Sequence, residues 1–232
     1  MRILKVAAAV MAACAVTGTI GTPTAMAQSA CAELGGTVGP DQTCAVHAEN
    51  DTYLLDFTFP AQYPDQQAVA DYLTQARVGF VNVSEMPGSR GLPYVLDAKG
   101  TGYRSGLPLV GTESLVFEVY QNVGGARPQT YYESFNWNLA TKAPITFDSL
   151  FKPGTKPLDV IYPAVNDDLF RTQGVLNAIP QSVGLDPANY QTFALTDDKV
   201  LFFFSQGQML AESAGPVQAS VPRAALAPML AL

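Results

Sequence analysis

TESLVFEVYQNVGGARPQTYYESFNW, residues 112–137, is the stretch that decides the fold class. Leu115, Phe117 and Val119 alternate with Val116, Glu118 and Tyr120. After the connection Gly124-Gly125-Ala126-Arg127-Pro128, alternation resumes, with Tyr131, Phe135 and Trp137 sharing a face with Glu133. A period of two residues places successive side chains on opposite faces of a strand, and a Gly-rich link between two such runs predicts an antiparallel hairpin. The aromatic residues crowded on the second strand, Tyr131, Tyr132, Phe135 and Trp137, are expected to serve as sheet core through cross-strand ring pairs, with a sugar- or peptide-binding surface as the competing use.

Upstream, Tyr53, Leu55, Phe57 and Phe59 alternate with Asp56 and Thr58, which predicts a half-buried strand stopped by Pro60. Pro64-Asp65 opens a helix whose Val69, Tyr72, Leu73, Ala76 and Phe80 recur at helical spacing. Residues 94–96 and 101–104 read as two strand pieces with a bulge at Gly100 or Gly102. Downstream, Leu158, Ile161, Tyr162, Val165 and Leu169 have helical spacing interrupted by Pro163, which predicts a kink there or a start at that residue. Residues 190–195 and the apolar run 200–204 flank a turn at Thr196-Asp197-Asp198 and predict a second hairpin. A last strand over 217–221 and a C-terminal helix over 223–230 complete the order. Helices and strands are segregated rather than strictly alternating. The fold class is therefore α+β, mainly antiparallel sheet with helices packed on it.

The N-terminus reads as an address. Arg2 and Lys5 precede an apolar run over 6–16, then Gly18, Gly21, Pro23 and the small-x-small triplet Ala25-Met26-Ala27. This is the layout of a secretory signal peptide over 1–27, with cleavage between Ala27 and Gln28. The apolar run is shorter than the ~20 helical residues a bilayer span takes. Cys14 after Met11-Ala12-Ala13 bears a weaker likeness to a lipid-attachment box. The mature chain is expected to be secreted and extracellular, with no integral membrane span. Cleavage would move the net charge from −7 to −9, since Arg2 and Lys5 are lost, and would leave two of the three cysteines. Cys31 and Cys44 are then expected to form one disulfide around a turn-rich N-terminal loop. A metal-binding thiol pair is the competing reading, against which stand the twelve-residue spacer, the lack of a second pair and a single nearby His47.

The acidic balance argues against nucleic acid as a partner, because such binders displace counterions with clustered positive charge. It also argues against charge-driven adhesion to anionic bilayers through the 158–170 helix, whose polar face carries Asp159, Asp167 and Asp168. No metal or cofactor is expected: one His, no phosphate-loop or dinucleotide glycine pattern and no calcium loop are present. No catalytic residue is assigned. His47 lacks a Gly-x-Ser-x-Gly partner and is expected at the surface. Asp167 and Asp168 point about 100° apart on a helix and read as a solvated face, and Asp197 and Asp198 read as turn formers.

Further blocks of sequence carry a resemblance. Phe135-Asn136-Trp137-Asn138-Leu139-Ala140-Thr141-Lys142 and Ile145-Thr146-Phe147-Asp148-Ser149-Leu150-Phe151 resemble the RsiV-like domain family. So do Phe193-Ala194-Leu195-Thr196, the run 200–204, Glu212, Ala214-Gly215-Pro216 and Val221-Pro222. Residues 59–66 and 119–125, with the cysteine pair, look like the secreted mycobacterial immunogenic proteins of that family. The resemblance implies an exported α+β protein. In the family's namesake, a membrane-anchored anti-sigma factor, such a domain faces outward and binds lysozyme. In a cell-wall deacetylase a similar domain accompanies a separate catalytic one. This chain departs from the namesake in lacking a membrane span and a cytoplasmic segment, and Arg127 stands where many relatives carry His.

The expected organisation is a signal peptide over 1–27, an N-terminal α+β part over 28–125 and an RsiV-like C-terminal part over 126–232, the latter two forming one compact unit. The expected function is that of a secreted, non-catalytic, monomeric binding protein and antigen, recognising a lysozyme-like or host protein or a cell-wall component. The alternative is a cell-wall polysaccharide hydrolase or modifying enzyme using dispersed carboxylates.

Overall fold

The computed structural model describes residues 31–86, 93–124, 127–174 and 178–232. The signal peptide, Cys14 and the cleavage point at Ala27 and Gln28 lie outside them. The fold is α+β, with a mainly antiparallel seven-stranded sheet and a three-stranded one.

The larger sheet runs in sequence order: β1 (Thr37–Val38), β2 (Thr43–Glu49), β3 (Tyr53–Pro60), β4 (Tyr94–Ser105), β5 (Thr112–Asn122), β6 (Gln129–Asn138) and β7 (Ala143–Pro144). β3 and β4 are parallel and every other neighbouring pair is antiparallel. That one parallel pair requires a crossover, supplied by helix α1 (Gln66–Ser84). The Asp65 side chain accepts a hydrogen bond from the Ala68 amide and so starts α1, and Val69, Leu73 and Phe80 are buried as their spacing predicted. Position 125, the expected boundary between the two parts, falls in the connection between β5 and β6, which pair along their length.

Two readings of the sequence are corrected here. β4 is one continuous twelve-residue strand, and its pairing with β5 runs from Val95 opposite Asn122 to Ser105 opposite Thr112 without a bulge. Gly100 is needed for a different reason: a Cβ there would stand 2.9 Å from Phe59 Cβ and 3.0 Å from a Phe117 ring carbon. The glycine lets side chains of the flanking strands close over β4. Second, residues 43–49, to which the sequence reading assigns no element, form a strand. The Cys31–Cys44 disulfide ties the first residues described to β2, with 5.9 Å between the Cα atoms.

The smaller sheet has the order β10 (Val217–Pro222), β9 (Lys199–Phe204), β8 (Phe193–Leu195). The hairpin predicted around Asp197-Asp198 is β8–β9. Helix α2 (Phe147–Leu150), α3 (Leu158–Gln173) and α4 (Gln181–Gly184) lie between the sheets in sequence, and α5 (Arg223–Leu226) follows β10. α3 starts before Pro163 and includes it, and α5 ends earlier than expected.

Three apolar interfaces follow. The inner face of the large sheet meets α1 through Leu55, Phe57, Leu96, Phe117, Val69 and Leu73. Its outer face, at the β5–β6 end, meets the small sheet through Val116, Ala194, Leu201 and Phe203, with Tyr103 and Tyr132 beside them. The far side of the small sheet buries Phe193, Phe202 and Phe204 against Ile161, Val165, Phe147 and Tyr190. The layers are thus helix, large sheet, small sheet, helix.

The two sheets are joined by side chains bonding to backbone. β8 is an edge strand, and its unpaired backbone groups would be orphaned by burial. The Ser114 and Ser134 hydroxyls accept from the Leu195 and Phe193 amides at 3.1 Å each, and Asn136 Nδ2 donates to the Phe193 carbonyl at 2.9 Å. Asp168 does the same for the opposite edge. It is buried, not solvated as its place in the sequence suggested: it accepts from the Ser220 amide at 2.8 Å and from Arg171 at 2.7 Å. Asp167, its neighbour, is exposed.

Candidate functional site

The small sheet covers only part of the large sheet's outer face. The uncovered part is spanned by β2 to β5, and cross-strand register sets a row of polar residues on it. His47 on β2 is opposite Asp56 on β3, Asp56 is opposite Asp97 on β4, and Asp97 is opposite Tyr120 on β5. One level along, Thr58, Lys99 and Glu118 continue the pattern, and Tyr132 opposite Glu118 marks the border where the small sheet begins. Residues directly opposite on one face of a sheet have Cβ atoms roughly 4.5–5.5 Å apart, so this band is contiguous.

His47 Nδ1 lies 2.7 Å from Asp56 Oδ1, and Nε2 lies 3.9 Å from Glu49. The hydrogen bond to Asp56 raises the His47 pKa above its ordinary value; desolvation opposes it, and the charges of Asp56 and Glu49 add to it. Asp97 is also pushed up, first by burial and then by the charge of Asp56, while Lys99 pulls it back. Burial and Glu118 push the Tyr132 phenol up to about 12. The band is an array of donors and acceptors with two basic positions, Lys99 and His47, the latter held between the carboxylates of Asp56 and Glu49.

Glu133 is the other carboxyl group that burial raises, and it stands opposite Phe117 on the inner face. Asp97 and Glu133 therefore lie on opposite sides of the sheet and do not form a carboxylate pair. Among the described residues, no three His, Cys, Asp or Glu side chains gather as a metal centre would need, and no helix is long and apolar enough to cross a membrane.

A concavity of about 620 Å³ lies where the loop after α2 meets the start of α3. Phe147, Phe151, Leu158, Leu185 and Pro187 make it apolar, and Asp148, Lys152, Lys156 and Asp159 stand among them. Lys152 is committed to the Pro228 carbonyl at 3.0 Å.

The structure disperses the other singled-out residues. Tyr131, Phe135 and Trp137 turn to the α1 side and Tyr132 to the small sheet, so the aromatic strand is shared between two interfaces. Asp197 accepts from the Gly106 amide and Asp198 bonds Thr196, which makes both loop fasteners. The reading of the sequence placed Asp56 on a polar face but did not join it to His47 and Asp97. The signal for that join is the parallel β3–β4 register, which local alternation does not carry.

The class these features define is an α+β protein, and residues 148–224 match the family model described as "Protein of unknown function (DUF3298)". Crystal structures of DUF3298 proteins from Pseudomonas aeruginosa and Bacteroides fragilis share the fold. Their TM-scores are 0.57 and 0.53 at 12% identity, over 83% and 84% of this chain and 95% of each of theirs. The nearer relationship is mycobacterial. The chain is 52% identical over 210 residues to a Mycobacterium tuberculosis protein named Esterase Rv3036c, covering 90% of this chain and 92% of that one. It is 40% identical over 211 residues to Immunogenic protein MPB64 of Mycobacterium bovis and to Immunogenic protein MPT64 of Mycobacterium tuberculosis, covering 91% of this chain and 92% of theirs. The chain belongs to the family of these mycobacterial proteins.

Proposed function

We propose that the protein is secreted and acts as a non-catalytic, monomeric binding protein of the RsiV-like kind, using the open β2–β5 face to recognise a protein or cell-wall ligand. The observation that carries this reading is the polar band itself. It lies on paired strands, His47 and Asp56 hold one another at 2.7 Å, and the small sheet that covers the rest of that face leaves it exposed. Flat polar bands with mixed charge suit hydrogen-bonding partners such as protein surfaces and polysaccharides. The kinship to immunogenic proteins and the disulfide fit an extracellular setting.

The test is retention of lysozyme or of peptidoglycan and arabinogalactan fragments on the immobilised protein, with His47→Ala, Asp56→Asn and Asp97→Asn as controls. Retention weakened by these substitutions supports the assignment. Retention of none of these ligands, or retention that the substitutions leave unchanged, sinks it.

A second reading is favoured by one finding, the name Esterase borne by the relative that is 52% identical. On this reading His47, oriented by Asp56 at 2.7 Å, serves as the base that activates water toward an ester carbonyl. Hydrolysis of p-nitrophenyl acyl esters by the purified protein, lost in His47→Ala with the fold intact, would replace the binding proposal. Turnover that survives His47→Ala would remove this base from the mechanism.

A further inference from the structure

The hairpin tip between β4 and β5 reads Gly106-Leu107-Pro108-Leu109-Val110-Gly111. Leu107, Leu109 and Val110 are 72%, 83% and 60% exposed, the three most exposed large apolar side chains among the described residues. Pro108 between them is exposed as well. Scattered exposed apolar residues are ordinary, but a contiguous protruding set is a mark of a surface that meets something apolar.

The tip is held rigidly. The Val110 and Gly111 amides both donate to the Leu107 carbonyl, the Gly111 carbonyl accepts from the Leu139 amide at 2.9 Å, and the Gly106 amide donates to Asp197 Oδ1 at 2.7 Å. Leu109 sits at φ +79°, a left-handed conformation that leucine adopts at a cost. Such strain persists where the surroundings over-determine it, and it clusters at functional segments. Gly111 cannot be replaced, because a Cβ there would fall 2.0 Å from the Ser105 carbonyl oxygen.

Local charge differs from that of the whole chain. The chain within a few residues of the contacts that hold this tip carries Arg104, Lys142, Lys199 and Arg223 against Glu113, Asp197 and Asp198, close to balance on a chain whose net charge is −7. We propose that residues 107–110 are a wedge that docks the protein on a phospholipid bilayer with zwitterionic headgroups. Leu107, Leu109 and Val110 enter the boundary between headgroups and acyl chains, and the balanced rim rests at the surface. A lipid surface fits a convex apolar tip without shape complementarity. A stable protein interface takes about 20–30 residues a side, far more than this tip offers.

The experiment is flotation of the purified protein with phosphatidylcholine vesicles, and with vesicles containing phosphatidylglycerol. Wild type is expected to float with the first and less with the second, because the rest of the chain is acidic. Leu107→Asp with Leu109→Asp should cut the bound fraction about tenfold or more, since charge replaces two buried leucines. Leu109→Gly removes the side chain but relaxes the backbone, so it should lower binding several-fold without lowering the melting temperature. This variant keeps the test decisive if the double variant does not fold. Wild type that fails to float, or Leu109→Gly that floats as wild type does, overturns the proposal. Failure to float combined with loop-dependent capture of a protein partner overturns it in favour of that partner.

Discussion

The two β-sheets of this molecule solve the same problem in opposite ways. The small sheet is buried on both faces along β8 and β9: Ala194, Leu201 and Phe203 lie against the large sheet, and Phe193, Phe202 and Phe204 against the helices. β8 and β9 read as near-continuous apolar runs, as in Lys199–Phe204, while β10 at the edge alternates. The large sheet is buried on the α1 side throughout but only at one end of the other side, so β3 and β4 alternate apolar with polar. The difference teaches where recognition chemistry can be displayed. A doubly buried sheet has only edges to offer, and here those edges are closed by Ser114, Ser134, Asn136 and Asp168. A half-covered sheet leaves a rigid face, and the His47–Asp56–Asp97–Tyr120 row occupies it.

The sharpest way to break this comparison is to damage the doubly buried sheet alone. Phe202 is fully buried between Phe147, Tyr190 and Phe193. Phe202→Ala should cost about 3–5 kcal/mol. Trp137, the single tryptophan, belongs to the α1 core. If the inter-sheet bonds couple the layers, tryptophan fluorescence and far-UV circular dichroism will fall at the same lowered denaturant midpoint. A Trp137 transition left where wild type has it would show that the two sheets unfold separately.

The bonds between the sheets come next. Asn136→Ala leaves the Phe193 carbonyl buried without its donor and should cost about 1–3 kcal/mol. Urea denaturation measures it, and a change below half a kcal/mol would mean that water or a relaxed strand replaces the amide. Gly100→Ala tests the large sheet in the same range, about 1–3 kcal/mol, by forcing a methyl group into Phe59 and Phe117. An alanine variant as stable as wild type would show that the strand yields where contacts this short say it cannot.

The same contrast explains what could be read in advance. Strands 53–59, 112–120 and 130–137 announced themselves because a half-buried face leaves alternation in the sequence. The 66–84 helix did so through its apolar stripe and Asp65. β2 was missed because Ala45, His47, Ala48 and Glu49 give a weak alternation, and the nearby cysteines and glycines suggested a loop. β4 was broken in two because Gly100 and Gly102 look like interruptions, whereas Gly100 serves close approach of neighbouring strands. Asp168 was misjudged because helical spacing says which face a residue is on, not which strand arrives there. The polar row depended on the register of a parallel pair joined by a 33-residue intervening segment, residues 61–93. No local pattern encodes that register.

The smallest expected effect probes the open face itself, through pH. His47 holds its proton more tightly in the folded state, chiefly through the hydrogen bond to Asp56. Its contribution to stability is therefore full below the ordinary histidine value of about 6.5 and is lost as pH rises through the higher folded value. Asp97, raised by burial and by Asp56, acts in the same direction in a more acidic window: its contribution declines as pH climbs from about 3.9 toward its raised folded value. With 58% of the His47 side chain exposed, solvent screens the pair and the change in stability is small. The ring resonance is the better readout, because the chain has one histidine and hence one signal to follow. Wild type should titrate above the free value, and Asp56→Asn should bring the midpoint back down, leaving only the weaker pull of Glu49. A midpoint that does not move on Asp56→Asn would mean that the two side chains are not joined in solution. The row would then be four neighbours on a sheet and not one preorganised surface.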